Sequence, residues 1–130
     1  MAISSSDQAA GSRGAAMAWE GDSKEVLSGF PKGVKQNLGF NLRLLQQGSE
    51  PIGYRPLQSI GRGVFELRDE DDRSWYRVVY LSRINDVIYI LHCFEKKSRA
   101  MPKRDADTAR RRLKAVQERL RMEKKHGRQL

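Results

Sequence analysis

Three runs rich in β-branched and aromatic residues follow one another between Val64 and Phe94, with only short polar stretches between them. They are Val64–Arg68, Trp75–Leu81 and Val87–Phe94, separated by the charged turn Asp69–Ser74 and the turn Arg83–Asp86. Connections this short leave no room for a crossover helix, so the strands are predicted to form an antiparallel meander. Asn85-Asp86 suits the second turn because both residues tolerate left-handed backbone. Val87–Phe94 is the longest apolar run and is predicted as the central strand. Side chains alternate across a strand. Glu66 and Arg68 therefore share a face opposite Phe65 and Leu67, while Trp75, Arg77 and Val79 share a face opposite Tyr76, Val78 and Tyr80.

Helices are predicted before and after this meander along the chain. Ser23 is placed to cap a short helix, Lys24–Ser28, which Gly29-Phe30-Pro31 breaks. A second helix is predicted from about Lys32 to Gln47. Its positions Val34, Leu38, Leu42 and Leu45 repeat on one face, Phe40 and Leu44 widen that face, and Gly48 stops the helix. These two helices are expected to cover one side of the sheet. Residues 48–63 are turn-rich, with Leu57 and Ile60 as anchors. After Pro102, Lys103–Lys125 reads as a terminal helix with a narrow stripe of Ala106, Ala109, Leu113, Val116 and Leu120. Residues 1–18 are rich in Ser, Ala and Gly without an apolar period and are expected to be a disordered tail. The division is thus a tail over 1–18, one α+β domain over 19–125, and a flexible end over 126–130. The domain comprises two N-terminal helices on a small twisted antiparallel sheet, with a C-terminal helix.

Charge is distributed unevenly over the 130 residues. Up to Glu95 there are 11 Lys and Arg against 12 Asp and Glu; from Lys96 onward there are 14 against 4. The whole of the net charge of +9 thus arises in the last 35 residues, the remainder being close to neutral. Such asymmetry favours a polyanionic partner, because neutralising phosphates releases counterions. A single cysteine, Cys93, excludes an intrachain disulfide and is expected to be buried and inert. With one cysteine and two histidines, His92 and His126, no His-rich metal site is expected. No cofactor is predicted. No run reaches the ~18 apolar residues of a membrane span, and no apolar leader is present, so a cytoplasmic protein is expected.

If the helices cover one side of the sheet, the other displays Glu66, Arg68 and Arg77, with Lys96, Lys97 and Arg99 beyond the strand end. Such a cluster suits cleavage of RNA by its own 2′-hydroxyl, a reaction needing no metal. The hydroxyl must lose a proton, the phosphorane must be stabilised, and the leaving oxygen must gain a proton. Arginine's fork suits the second task. Glu66 is placed to act as base or to orient Arg68. Lys96 or Lys97, crowded by other cations, loses a proton more readily than an ordinary lysine. The candidate catalytic residues are therefore Glu66, Arg68, Arg77, Lys96 and Lys97. Arg62, His92, Arg99, Lys103 and Arg104 are the candidates for holding RNA, and lone Phe and Trp rings on the same face could stack on bases. The alternative reading of each such residue is a cross-strand salt bridge or, for His92, a half-buried strand histidine.

Four segments carry a resemblance across roughly Trp19–Arg121. They are Phe30-Pro31 with the helix to Gly48; Gly63-Val64-Phe65-Glu66-Leu67-Arg68; Tyr76-Arg77-Val78-Val79-Tyr80; and Leu91-His92-Cys93-Phe94-Glu95-Lys96-Lys97-Ser98-Arg99, running into a helix with Ala109-Arg110-Arg111. In this order they resemble the RelE/ParE toxin superfamily, in particular its phage-derived, HigB-like branch. The resemblance implies a toxin of a type II toxin–antitoxin pair that cleaves mRNA in the ribosomal A site without a metal. It implies a cognate antitoxin, in this branch often of helix-turn-helix type, with ribosome and mRNA as further partners and no membrane. It assigns the scissile phosphate to Arg77 and matches the basic cluster to Lys96, Lys97 and Arg99. Where the superfamily carries two basic residues on the preceding strand, this chain has Glu66 and Arg68, a departure that touches the identity of the base. Two other functions fit the same sequence: a ParE-like toxin that binds DNA gyrase without cleavage, and a non-enzymatic, phage-derived RNA-binding protein.

Overall fold

The computed structural model describes residues 14–129, with side chains as far as His126. In chain order the elements are β1 (Ala16–Trp19), α1 (Ser23–Ser28), α2 (Lys32–Gln46), β2 (Arg55–Pro56), β3 (Val64–Glu70), β4 (Trp75–Ile84), β5 (Val87–Lys96) and α3 (Lys103–Gln129). The strands form one sheet in the order β1-β5-β4-β3-β2. The chain is an α+β protein, compatible with a RelE-like fold, in which the predicted meander is β3-β4-β5. Its second turn is left-handed at Asn85 and Asp86, with φ of 52° and 65°. Its first turn is tied by Asp71, whose Oδ1 accepts hydrogen bonds from the backbone N–H of Arg73 and Ser74, both at 2.9 Å.

Several boundaries differ from the sequence reading. Of the expected tail, 1–13 lies outside the described residues, whereas Ala16–Trp19 forms an edge strand parallel to β5. Its register, from Ala16 opposite Val87 to Trp19 opposite Ile90, gives β5 a neighbour on each side and makes β4 the middle strand. The sheet is therefore mixed rather than purely antiparallel. Ser23 does not cap α1: it is fully buried, and its hydroxyl donates to the Ile90 carbonyl at 3.3 Å, while Asp22 stands at the cap. Phe40 is 48% exposed and contributes little to the buried face of α2. The helix α3 continues past the expected end at Lys125 to Gln129.

Helices cover both sides of the sheet, not one. On one side Leu27 of α1, Phe30 of the link that follows it, and Val34, Leu38 and Leu42 of α2 pack on Leu67, Val78, Tyr80, Ile90 and Cys93. On the other side Ala109, Leu113 and Val116 of α3 pack on Val64, Val79, Leu81, Leu91 and the anchor Ile60. Cys93 is buried in the first core, as expected, and that burial pushes its thiol pKa up to about 12. A chain of polar contacts holds α3 in place. Arg112 donates to the Leu91 carbonyl at 3.1 Å and to Asp22 at 3.0 Å, and Arg119 pairs with Glu20 at 2.9 Å. Arg112 crosses so close to Gly21 that a Cβ there would lie 2.4 Å from the guanidinium, and Gly21 also has a positive φ of 55°. Leu113→Ala is expected to cost about 2–4 kcal/mol, because the side chain is buried between α3 and the sheet. Urea unfolding checks this; a loss below about 1 kcal/mol, the cost of a near-surface truncation, would show that α3 is not firmly docked. No helix among the described residues is long and apolar enough to cross a membrane.

Candidate active site

Because α3 covers the Val79–Leu91 end of its side of the sheet, the remaining strip of that side is left to polar side chains, most of them buried. Alternation puts Glu66 and Arg68 of β3, Arg77 of β4 and Lys96 of β5 on this strip. Four of the five predicted catalytic residues are thus brought together. Arg68 and Arg77 are direct partners in the β3-β4 ladder, so two cations face each other across neighbouring strands. Like charges in that arrangement are destabilising unless an anion lies between them. Glu66 supplies part of that anion. It is 3% exposed, and its Oε1 accepts from Arg55 Nε at 3.2 Å while lying 3.5 Å from Arg77 Nε. The second contact is an ion pair without hydrogen-bond geometry, so the buried Arg77 Nε has no hydrogen-bond partner among the described residues. Arg77 is anchored instead by Nη1, which donates to the Tyr76 carbonyl at 3.0 Å.

Arg55 is a fifth member of the cluster that the sequence did not single out. It reaches the site because the two-residue strand β2 pairs Arg55 with Glu66. Nothing in a turn-rich segment with no alternation marks it; the pairing is visible only once the chain has folded.

Lys96 is 8% exposed, and its ammonium donates to the Arg99 carbonyl at 2.5 Å. Burial first, and then the Arg77 guanidinium, hold its pKa below the ordinary 10.5. A shallow depression of about 250 Å³ adjoins the cluster, lined by Gly53, Arg68, Asp69, Glu70 and Arg77. Arg68 itself is exposed, and among the described residues its side chain is fixed by a long hydrogen bond from Nε to the Gly53 carbonyl at 3.4 Å.

The other predicted residues lie elsewhere. Lys97 turns to the opposite side of the sheet, where its ammonium binds Ser74 Oγ at 2.7 Å and Glu95 at 3.4 Å. Strand alternation, continued one residue past Lys96, accounts for this reversal. Arg62 is exposed in the turn before β3. Arg99 offers the cluster its carbonyl while its side chain is exposed. Lys103 pairs with Asp107 at 2.8 Å, and Arg104 is exposed at the start of α3. His92 is buried and serves the docking of α3. Its Nε2 lies 2.7 Å from Asp105, and its Nδ1 lies 3.3 Å from Arg112 Nη1. A guanidinium can only donate, so Nδ1 is the acceptor and Nε2–H donates to Asp105. The ring stacks on Phe94 at 5.3 Å, and Phe94 is 5% exposed, so neither offers a face to a base. Trp75, half-buried opposite Lys96, is the aromatic that stays at the rim.

The fold and this strip define a small α+β protein that gathers three arginines and a lysine on one sheet face, in an architecture compatible with the RelE-like toxins. Residues 25–114 match the model of the family described as phage derived protein Gp49-like (DUF891), and the chain belongs to that family. The family is RelE-like and associated with toxin–antitoxin pairs. The matched span runs from α1 into α3 and includes every residue of the cluster. No curated protein matches the chain.

Proposed function

We propose that this protein is the toxin of a toxin–antitoxin pair and cleaves mRNA on the ribosome through the RNA's own 2′-hydroxyl. The observation that carries this reading is the Arg68–Arg77 pair. Two arginines placed opposite each other, Arg68 exposed and Arg77 lining the adjoining depression, form a site for an incoming phosphate. As the 2′-hydroxyl gives its proton to solvent and its oxygen bonds to phosphorus, a second negative charge develops on the nonbridging oxygens, and the forks of Arg68 and Arg77 oppose it. Breaking the bond from phosphorus to the 5′-oxygen requires a proton there. Lys96 supplies it, because burial, and then the neighbouring Arg77 guanidinium, favour release of its proton. Glu66 orients rather than deprotonates: its Oε1 is committed to Arg55 and Arg77. The partners of such a protein are mRNA, the ribosome and a cognate antitoxin that masks the strip.

The pH dependence follows from Lys96. A lysine acting as an acid works while protonated, so cleavage falls as pH rises through its pKa. Because that pKa is depressed, the alkaline limb begins below the 10.5 of an ordinary lysine. Single-turnover cleavage of mRNA on programmed ribosomes is expected to show this limb, and Lys96→Arg is expected to abolish it. A limb that survives in Lys96→Arg would assign the proton to another group.

A further inference from the structure

We propose that the solvent-facing stripe of α3, formed by Arg104, Arg111, Lys114 and Lys125, docks the backbone of double-stranded RNA at a site separate from the Arg68–Arg77 cluster. At 100° per residue these four positions fall within an arc of about 80°, nearly opposite Ala109, Leu113 and Val116, which face the sheet. All four are exposed, and none makes an ion pair among the described residues. The two acids that share the arc are taken up by other cations of α3. Asp107 and Glu118 fall within the same arc, but Asp107 is bound by Lys103 and Arg110, and Glu118 is bound by Arg121. Arg112 and Arg119 are spent on Asp22 and Glu20. What remains is an uncompensated row of positive charge.

The form of the row indicates its partner. From Arg104 to Lys125 it runs about 30 Å along a single rigid helix, enough to meet several phosphates of a partner as stiff as itself. Single strands are held by stacking bases on aromatic rings, and the arc carries no aromatic residue. Double-stranded RNA is recognised by shape and backbone, which needs only cations at suitable spacing. The choice of RNA over DNA rests on the function proposed above; the presence of a duplex-binding surface does not.

The test is fluorescence anisotropy of the full-length protein with a labelled RNA duplex of about 16 base pairs, over a salt series from about 50 to 200 mM. The variant R104Q/R111Q/K114Q/K125Q removes the stripe with little change in helix propensity, and circular dichroism confirms that α3 remains. The expected result is a salt slope smaller by about 3 and an affinity lower by more than about tenfold. Arg77→Ala is expected to leave duplex binding unchanged, which separates this surface from the cluster whether or not the cluster cleaves RNA. An unchanged slope in the stripe variant would overturn the proposal. Equal binding and equal loss with a DNA duplex would overturn the assignment to RNA. Loss of binding to polyglutamate with duplex binding intact would make the stripe a protein-docking surface instead.

Discussion

Replacing Arg77 with alanine is expected to lower mRNA cleavage by about 100- to 1,000-fold, the range found when one preorganised donor to a transition-state oxyanion is removed. Folding is expected to suffer much less. Arg77 carries a desolvation penalty and a buried Nε without a hydrogen bond, and Glu66 keeps Arg55 as a partner when Arg77 is gone. Arg77→Lys retains the charge but loses the planar fork, and most of the activity is expected to go with it. Single-turnover rates and thermal unfolding of the same preparations check both halves. Loss of activity that merely followed loss of folded protein would return Arg77 to a structural role.

Glu66→Ala is expected to act in the opposite way, costing about 3–5 kcal/mol of stability, the range for breaking a buried ion pair from one side. The asymmetry follows from the geometry. Without Glu66, the buried Arg77 faces Arg68 across the ladder, with Lys96 also nearby and no carboxylate in the pair. Glu66→Gln keeps an acceptor for Arg55 and is expected to lose less. Joining Glu66→Leu to Arg77→Met removes both charges and is expected to recover much of the loss, giving a coupling well above the additive limit of about 0.5 kcal/mol. Urea unfolding measures all three. Additive losses, or a Glu66→Ala variant as stable as the parent, would show that Glu66 is not the strut of this site.

Local patterns in the sequence carried most of the fold. Period-2 alternation placed β3, β4 and β5 and put Glu66, Arg68 and Arg77 on one face, because a strand's two faces are fixed by the backbone. Period-3.6 spacing likewise placed α2 and α3. Features that depend on distant pairing were not legible. The strand β1 is four residues of Ala, Met, Ala and Trp, with no pattern of its own until β5 lies beside it. Arg55 enters the cluster only through the two-residue pairing of β2 with β3. Ser23 satisfies the composition of a helix cap, yet burial against Ile90 commits its hydroxyl elsewhere. Lys96 and Lys97 are adjacent and chemically alike, and only the end of β5 decides that one joins the cluster while the other binds Ser74 and Glu95. The coverage of the second sheet face by α3 also explains why His92, read as a candidate for holding RNA, is instead part of the packing beside Phe94.

The most direct test of the central claim is to induce the protein in bacteria, with and without Arg77→Ala, and map mRNA 5′ ends by primer extension. The account predicts growth arrest with new 5′ ends inside translated codons, both absent in the variant. Growth arrest with intact mRNA would contradict it and direct attention to a target other than RNA.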